Sequence, residues 1–270
     1  MKIAHARREE MNEIKGVHAG ANSIFFKSLF ENDAFETPWW FIHSAIIPPG
    51  GGIGFHRHDH CEEIFVTFDN ASQFTHNGRT TEIIGGAAVP VREGESHAIY
   101  NHTDKETRFF NFNVAEPGAP ADSFDFGDDR SKVKLESVDR LPIGRFERRL
   151  LDYGKIHGGK GLIGSRTIWD WRDFRNNYGY LTHYLMPPGT SIGYHRHDGI
   201  EEVYIVMNGN GRITADDQAA DVCPGDAVLN GLGGSHGIYN NTNEFLEILA
   251  VAVCMEKGKL DYTDLGNDLT

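Results

Sequence analysis

A long internal repeat with one constant offset constrains the fold of this chain more than any other feature. Residues 48–66 (PPGGGIGFHRHDHCEEIFV) match residues 187–205 (PPGTSIGYHRHDGIEEVYI) at 11 of 19 positions, an offset of 139. Residues 85–103 match residues 224–242 at the same offset, with 10 identities. Two copies of one domain are the economical explanation, because self-similarity at a fixed spacing is the sequence signature of a repeated structural unit.

The repeat also sets the expected domain organisation. The similarity runs from about residue 17 to 115 and again from 156 to 254. We therefore expect an N-terminal barrel over residues 1–125, a linker at 126–140 and a C-terminal barrel over 141–270. Each copy carries short alternating runs, such as EEIFVTF and EEVYIVM, that predict strands. The expected fold class is all-β, with two tandem barrels and a few short helices.

The charge and cysteine content exclude several classes of function. The chain has 26 Lys and Arg against 39 Asp and Glu, a net charge of −13, with no concentrated basic run, so nucleic acid is not an expected partner. The three cysteines form no C-x-x-C pair, and the N-terminus lacks the apolar core of a signal peptide. No apolar run is long enough to span a membrane. These features predict a reduced, cytoplasmic protein without a membrane partner.

Each copy contains four residues with metal-ligand chemistry at matched spacing. In the first copy, His56 and His58 point to the same side of a strand, because residues two apart share a face. A turn can bring Glu63 to the same point, and Gly94-x-x-His97 adds a third imidazole from a later strand. Three imidazoles and one carboxylate suit a first-row divalent ion and leave positions open for substrate, water or dioxygen.

The second copy repeats the set at the same offset, with His195, His197, Glu202 and His236. Chance would have to place eight metal-competent residues at matched spacings, so a structural role for isolated histidines does not explain the pattern. We predict a divalent transition metal, Fe, Mn, Ni, Cu, Co or Zn, with one ion for each barrel. The adjacent Glu62 and Glu201 alternate to the opposite face of the strand and are left out of the ligand sets.

The ligand residues belong to a longer pattern that resembles a known family. The pattern G-x5-H-x-H-x4-E-x6-G, followed by G-x5-P-x-G-x2-H-x3-N, resembles the two signature motifs of the cupin superfamily, and its duplication resembles a bicupin. Besides the ligands, the residues that fit the motifs are Gly50, Gly86, Gly94, Asn101, Gly189, Gly209, Gly225, Gly233 and Asn240. Asn70 replaces a motif glycine, and Arg92 and Gly231 replace a motif proline. We expect altered loops and intact ligation at these departures.

The resemblance implies a fold and a range of activities. Cupins are jelly-roll barrels with a metal near the barrel centre, and the family hosts dioxygenases, decarboxylases, isomerases, binding domains and storage proteins. Fold similarity selects none of these. The first expectation is a metal-dependent bicupin enzyme, a dioxygenase or decarboxylase acting on a small oxygen-rich molecule that chelates the metal. The alternatives are a sugar or sugar-phosphate isomerase or epimerase and a non-catalytic small-molecule-binding cupin.

Two histidine positions near the predicted sites have two interpretations each. His60 stands where the second copy has Gly199, and it is either a catalytic proton shuttle or a plain surface histidine. His18 and His157 repeat in a glycine-rich context, where a turn role and a pocket role are both open.

The copies also differ in a late strand. Asn111 and Asn113 give the first barrel a polar pocket wall if they face inward, whereas the second copy is apolar there; facing outward, they are only solvated. Cys61 is interpreted as a packing residue, because Ile200 takes its place in the second copy. A homo-oligomer is a further expectation, since edge strands of open barrels are commonly covered by a partner.

Overall fold

The computed structural model describes residues 1–116, 118–119, 122–137 and 141–269. The last three residues of the predicted linker, 138–140, lie outside this description.

The chain divides into two compact units, each built around one copy of the repeat. We call the unit of Ala6–Asn32 and Trp40–Phe146 the first barrel. The unit of Met1–His5, Asp33–Trp39 and Glu147–Thr270 is the second barrel. Two short N-terminal segments therefore belong to the second barrel, unlike the simple division along the chain that the repeat suggests. Local patterns predict strands and turns but do not tell which of two similar sheets a short segment joins.

The first barrel consists of a seven-stranded and a five-stranded sheet. The chain begins with β1 (Lys2–His5), which belongs to the second barrel. The strands of the first barrel are β2 (Asn12–Lys15), β3 (Ser23–Glu31), β4 (Trp39–Ile47), β5 (Gly52–Arg57), β6 (Cys61–Thr67), β7 (Ala71–His76), β8 (Arg79–Ile84), β9 (Ala87–Val91), β10 (Ser96–Tyr100), β11 (Thr107–Ala115), β12 (Phe124–Asp125) and β13 (Gly144–Arg145). Their order is β13-β9-β6-β11-β4-β3-β2 in the larger sheet and β12-β5-β10-β7-β8 in the smaller.

The second barrel repeats this arrangement with a seven-stranded and a five-stranded sheet. Its further strands are β14 (Asp152–Gly154), β15 (Ile163–Asp170), β16 (Tyr178–Met186), β17 (Ser191–Arg196), β18 (Ile200–Asn208), β19 (Gly211–Ala215), β20 (Gln218–Val222), β21 (Asp226–Asn230), β22 (Ser235–Tyr239), β23 (Leu246–Cys254) and β24 (Thr263–Asn267). The order is β1-β21-β18-β23-β16-β15-β14 in the larger sheet and β20-β19-β22-β17-β24 in the smaller. Antiparallel pairing of β1 with β21 accounts for the place of the N-terminus in this unit.

Helix is limited, within the described residues, to five three-residue 3₁₀ segments: Arg8–Glu10, Val17–Ala19, Asn32–Ala34, Arg148–Leu150 and Trp171–Asp173. None of the described helices has the length and hydropathy needed to cross a lipid bilayer. The expected fold class, all-β with two tandem jelly rolls, is confirmed.

Each barrel buries a core contributed by both of its sheets. In the first barrel, Phe65 on β6 and Phe109 on β11 meet Phe74 on β7 and Ile99 on β10, and none is more than 2% exposed. Burying each such side chain stabilises the fold by roughly 1.5–3 kcal/mol. Strand alternation places every second residue on this inner face, which is also where the predicted metal ligands project.

Candidate metal centres

Three strands of the first barrel bring four metal-competent side chains together. His56 lies on β5 directly opposite His97 on β10, His58 follows β5, and Glu63 lies on β6. One donor atom of each lies within 4.8 Å of the others. The turn before His97 is fixed by Gly94, which takes a left-handed φ of +76° and donates its N–H to the His58 carbonyl oxygen at 2.8 Å.

Hydrogen bonds outside this group orient the ligands. His56 Nδ1 donates to the Gly54 carbonyl oxygen at 2.8 Å, and His58 Nδ1 donates to the Asp122 carbonyl oxygen at 2.5 Å. Both Nε2 atoms therefore carry lone pairs directed inward. Asn111 and Asn113 donate to Glu63 Oε1 at 3.1 and 2.9 Å, which fixes the carboxylate and leaves Oε2 toward the histidines.

The second barrel reproduces this arrangement and buries it more deeply. The ligand set His195, His197, Glu202 and His236 is at most 2% exposed, and its donor atoms also lie within 4.8 Å of one another. His195 Nδ1 donates to the Gly193 carbonyl oxygen at 2.8 Å, and His197 Nδ1 donates to the Asp261 carbonyl oxygen at 2.5 Å. The hydroxyl of Tyr180, rather than an asparagine amide, donates to Glu202 Oε1 at 2.6 Å.

Buried polar atoms without a hydrogen-bond partner test whether a metal fits these groups. In the first barrel, His58 Nε2 and Glu63 Oε2 are such atoms. In the second, His197 Nε2, Glu202 Oε2 and His236 Nε2 are. Native proteins rarely leave buried polar atoms unsatisfied, and here the lone pairs of each group converge. A bound divalent cation would satisfy them, so both groups fit a transition metal.

The electrostatics favour neutral histidines at most of these positions. His197 is the exception: burial opposes its protonation, but the adjacent Glu202 carboxylate outweighs burial and raises its pKa. Burial, reinforced by neighbouring imidazoles, lowers the pKa of His56 and of His195 to about 2, and burial lowers that of His97 well below its ordinary value. Burial opposes ionisation of Glu202, but the nearby imidazoles of His197 and His236, whose Nε2 atoms lie 3.7 and 3.0 Å from Glu202 Oε2, outweigh burial and hold the pKa of that carboxyl well below its usual range. Neutral imidazoles and an ionised carboxylate are the protonation states that metal ligation requires.

All eight residues predicted as ligands thus lie in two compact groups, and ligation itself stays a prediction. The neighbouring glutamate Glu201 faces elsewhere in the second barrel, where its Oε2 accepts hydrogen bonds from Thr37 Oγ1 at 2.6 Å and from the Thr37 N–H at 3.0 Å. This contact holds the Asp33–Trp39 segment on the second barrel.

A cavity of about 420 Å³ adjoins the donor group of the first barrel. His56, His58 and Glu63 lie in its wall, together with Phe41 and Ala45 of β4. The volume falls in the range of small-molecule sites. The first group is therefore reachable by a ligand that the cavity admits.

Tyrosines take the corresponding wall positions in the second barrel. At the offset of 139, Phe41 corresponds to Tyr180, Ala45 to Tyr184 and Phe65 to Tyr204. Tyr180 and Tyr184 pack against the core of that barrel, in which Tyr204 is only 2% exposed. Burial raises the pKa of each of the three hydroxyls, so they stay neutral. At the position of Ala45, which lines the first-barrel cavity, the second barrel therefore carries the larger side chain of Tyr184.

His18 joins the first site in a way that the sequence left open. Its ring stacks on His56 at 3.7 Å between centroids with 7° between planes, and it lines the cavity. Its backbone has a left-handed φ of +49°, so it is at once a turn residue and a pocket residue. The turn crosses β5 where a Cβ on Gly54 would lie 2.0 Å from the His18 carbonyl oxygen, a contact that only glycine allows.

The second barrel has the same stack. His157 lies 3.7 Å from His195 between ring centroids and has a φ of +50°. A carboxylate holds each of these histidines: Asp125 Oδ1 lies 2.6 Å from His18 Nδ1, and Asp264 Oδ1 lies 3.0 Å from His157 Nδ1.

The sequence reasoning missed these aspartates, although a signal was present. Residues 122–127 (DSFDFG) and 261–266 (DYTDLG) share the pattern D-x-x-D-x-G at the same offset of 139. Their strands, β12 and β24, pair with β5 and β17, the strands that carry the first ligands. The repeat therefore extends beyond residues 115 and 254, and it contributes the carboxylates that hold His18 and His157.

His60, predicted as the catalytic proton shuttle, lies apart from the cavity. Its side chain is 45% exposed and its Nδ1 lies 3.4 Å from Glu116 Oε2. The described lining of the cavity does not include it. The shuttle role gains no support from this placement, which matches the surface interpretation. Asn111 and Asn113, in contrast, face inward, and Cys61 is buried beside Asn113.

Comparisons with known proteins place the chain among others with this architecture. A family model described as "Cupin domain" matches residues 182–252. A curated relative, the oxalate-binding protein of Thermotoga maritima, is 30% identical over 100 residues, which make up 37% of this chain and 83% of that protein.

Solved structures resemble the whole chain at low sequence identity. The oxalate decarboxylase of Bacillus subtilis is 14% identical with a TM-score of 0.64, over 97% of this chain and 78% of that one. Protein Ylba from E. coli is 13% identical with a TM-score of 0.66, over 96% of this chain and 93% of that one. At these identities the likeness concerns the fold, a pair of barrels.

Proposed function

This chain belongs to the cupin family, and we propose that it is a metal-dependent bicupin enzyme acting on a small, oxygen-rich molecule that chelates the metal. The reaction classes we propose are dioxygenation and decarboxylation. One observation carries the proposal: the four donor residues of the first barrel converge beside a cavity large enough for a substrate. The names of two neighbours, an oxalate-binding protein and an oxalate decarboxylase, support a small oxygen-rich ligand.

The residues of the first site would have distinct roles in holding a metal and shielding it. His56, His58, Glu63 and His97 would hold the ion. When bound, such an ion polarises carbonyl or carboxylate oxygens or activates dioxygen. The asparagines bonded to Glu63 keep the carboxylate in one orientation, and the apolar wall excludes water from the reacting centre.

His18 is the polar group best placed to meet a substrate beside the ligands. It lines the cavity, and Asp125 fixes its Nδ1, so that Nε2 is the ring atom left to contact a ligand. We propose that it orients the substrate, a role for which the surface residue His60 is badly placed.

We assign turnover to the first barrel and a structural role to the second. The side chain of His197 is 2% exposed against 12% for the matching His58, and three tyrosines stand at the positions that form the cavity wall in the first barrel. A metal there would link β17, β18 and β22, and the binding free energy would add to the stability of that barrel.

A non-catalytic, small-molecule-binding cupin is the second candidate. The name of the curated relative, an oxalate-binding protein, favours it. Both candidates need the same metal and cavity, so turnover separates them. A cytoplasmic location and a homo-oligomeric state stay predictions.

Metal analysis followed by product analysis tests the proposal. Protein purified without chelators is expected to carry a divalent transition metal. Iron- and manganese-loaded samples are then offered diketones, catechols and keto acids, with oxygen uptake recorded in air and carbon dioxide release recorded without oxygen. Oxygen uptake indicates a dioxygenase, and anaerobic carbon dioxide release indicates a decarboxylase. Substrate binding without turnover would favour the binding module, and protein that holds no metal would contradict both candidates.

A further inference from the structure

The first-barrel cavity is walled mainly by apolar side chains. Phe26, Phe41, Phe65 and Phe109 present aromatic surface to it. Phe65 and Phe109 pack edge to face with 4.7 Å between ring centroids, which fixes part of this wall. A volume of about 420 Å³ greatly exceeds the space that a molecule of a few heavy atoms fills. Such a cavity gains binding free energy from a ligand with an apolar body.

The charge of the lining does not suit a compact dianion. None of the described lining residues is Lys or Arg, and Glu63 adds a carboxylate. The whole chain carries a net charge of −13. A small dianion would exchange its hydration for a wall without Lys or Arg, and the metal would have to balance most of its charge.

Besides the proposed metal ligands, Asn111 of the lining has a buried hydrogen-bonding atom without a partner. Asn111 lines the cavity, is 9% exposed, and donates from Nδ2 to Glu63 Oε1. That bond fixes the orientation of the amide, because the other amide atom, Oδ1, could not donate to a carboxylate. Oδ1 is buried and has no partner. Leaving a buried acceptor without a partner costs free energy, and a ligand that donates a hydrogen bond to Oδ1 would remove that cost. The second barrel has Ala250 at this position.

We infer that the first barrel takes a ligand with three features: two chelating oxygens at one end, a hydrogen-bond donor beside them, and an uncharged aromatic or aliphatic body. The inference rests on the proposed function, since the metal would anchor the chelating end. It sets this chain apart from the relative named for oxalate, a dianion with no apolar body.

Two hydroxamates with the same chelating head test the inference by binding rather than by turnover. Acetohydroxamate and benzohydroxamate both offer two oxygens and an N–H donor, and they differ in the methyl or phenyl body. Each is titrated into protein loaded with Co²⁺, and the visible spectrum of the cobalt reports binding. Benzohydroxamate is expected to bind about tenfold or more tightly, because the cavity buries its ring. Affinities equal within about twofold would overturn the inference.

Cavity-filling variants show whether the preference arises in the first barrel. Ala45→Tyr introduces the residue that the second barrel has at this position, and Ala45→Leu is a smaller change in case the tyrosine prevents folding. Either is expected to remove the preference for benzohydroxamate while cobalt content and acetohydroxamate affinity stay within about twofold. Tyr184→Phe, the matched change in the second barrel, should keep the preference. A preference that survives both Ala45 variants would overturn the inference, whereas protein that binds no cobalt would contradict the proposed function itself.

Discussion

The two barrels share a ligand set and differ in what surrounds it. Each group consists of three histidines and a glutamate with the same outer hydrogen bonds from Nδ1 atoms to backbone carbonyls. The first carboxylate accepts from two asparagines beside a cavity, and the second accepts from Tyr180. The duplication therefore kept the four donor residues, while the residues around them diverged.

Removing one metal ligand from each barrel should produce the largest difference between the two sites. His58→Ala and His197→Ala should each lower the metal affinity of their own site by at least about 100-fold, because four ligands share the ion. Only His58→Ala should abolish turnover. Metal stoichiometry and activity of the two variants, measured in parallel, check this. Full metal content in both would contradict the ligand assignment, and equal loss of activity would contradict the division of roles.

Removing one donor to each carboxylate ligand should have a smaller effect. Asn111→Ala and Tyr180→Phe each delete one hydrogen bond to Glu63 or Glu202. Each should weaken metal binding at its own site by roughly 10–100-fold, as loss of such outer contacts does. Competition with a chelator measures this. An Asn111→Ala variant with unchanged metal affinity would show that Asn113 alone orients Glu63.

The two histidine–aspartate pairs offer a matched test of substrate orientation. Asp125→Asn and Asp264→Asn leave size almost unchanged but weaken the hold on His18 and His157. Asp125→Asn should lower kcat/KM about three- to tenfold with metal content intact, because His18 lines the cavity. Asp264→Asn should leave kcat/KM unchanged. Equal effects of the two changes would indicate a purely structural role for both pairs.

The second barrel contains a group of ion pairs around Glu247 that makes its stability sensitive to acid. Glu247 pairs with His183 and Arg148, each at 2.7 Å, whereas Arg108 takes its place in the first barrel. Burial opposes its ionisation, but the hydrogen bonds from His183 and Arg148 lower its pKa from 4.5 to about 2. The ionised group therefore adds stability above about pH 4.5, and this is lost as pH falls towards 2.

Glu247→Gln should remove that contribution, about 2 kcal/mol of unfolding free energy at neutral pH. Denaturant unfolding at pH 7 and at pH 3 measures it. The variant should be less stable than the wild type at pH 7, with a smaller difference at pH 3. A difference that grows in acid would contradict the assignment.

The repeat made much of this architecture predictable. Residues at matched spacing indicated both ligand sets, because strand alternation alone places His56 and His58 on one face. The sequence could not show that Asn111 faces the ligands or that His60 lies outside the cavity, since both depend on the register and curvature of packed strands. Nor could it assign Asp33–Trp39 to the second barrel, because that depends on a contact with Glu201, which is distant along the chain.

We propose that access to a bound metal is the central difference between the barrels, and azide binding to Co²⁺-loaded variants tests this directly. His197→Ala confines cobalt to the first barrel, and His58→Ala confines it to the second. Azide should change the visible spectrum of cobalt in the His197→Ala variant, because the first site adjoins a cavity. It should leave that of the His58→Ala variant unchanged, because tyrosines stand at the cavity-wall positions there and the His197 side chain is 2% exposed, against 12% for His58. A spectral change in the second barrel, or none in the first, would contradict the account.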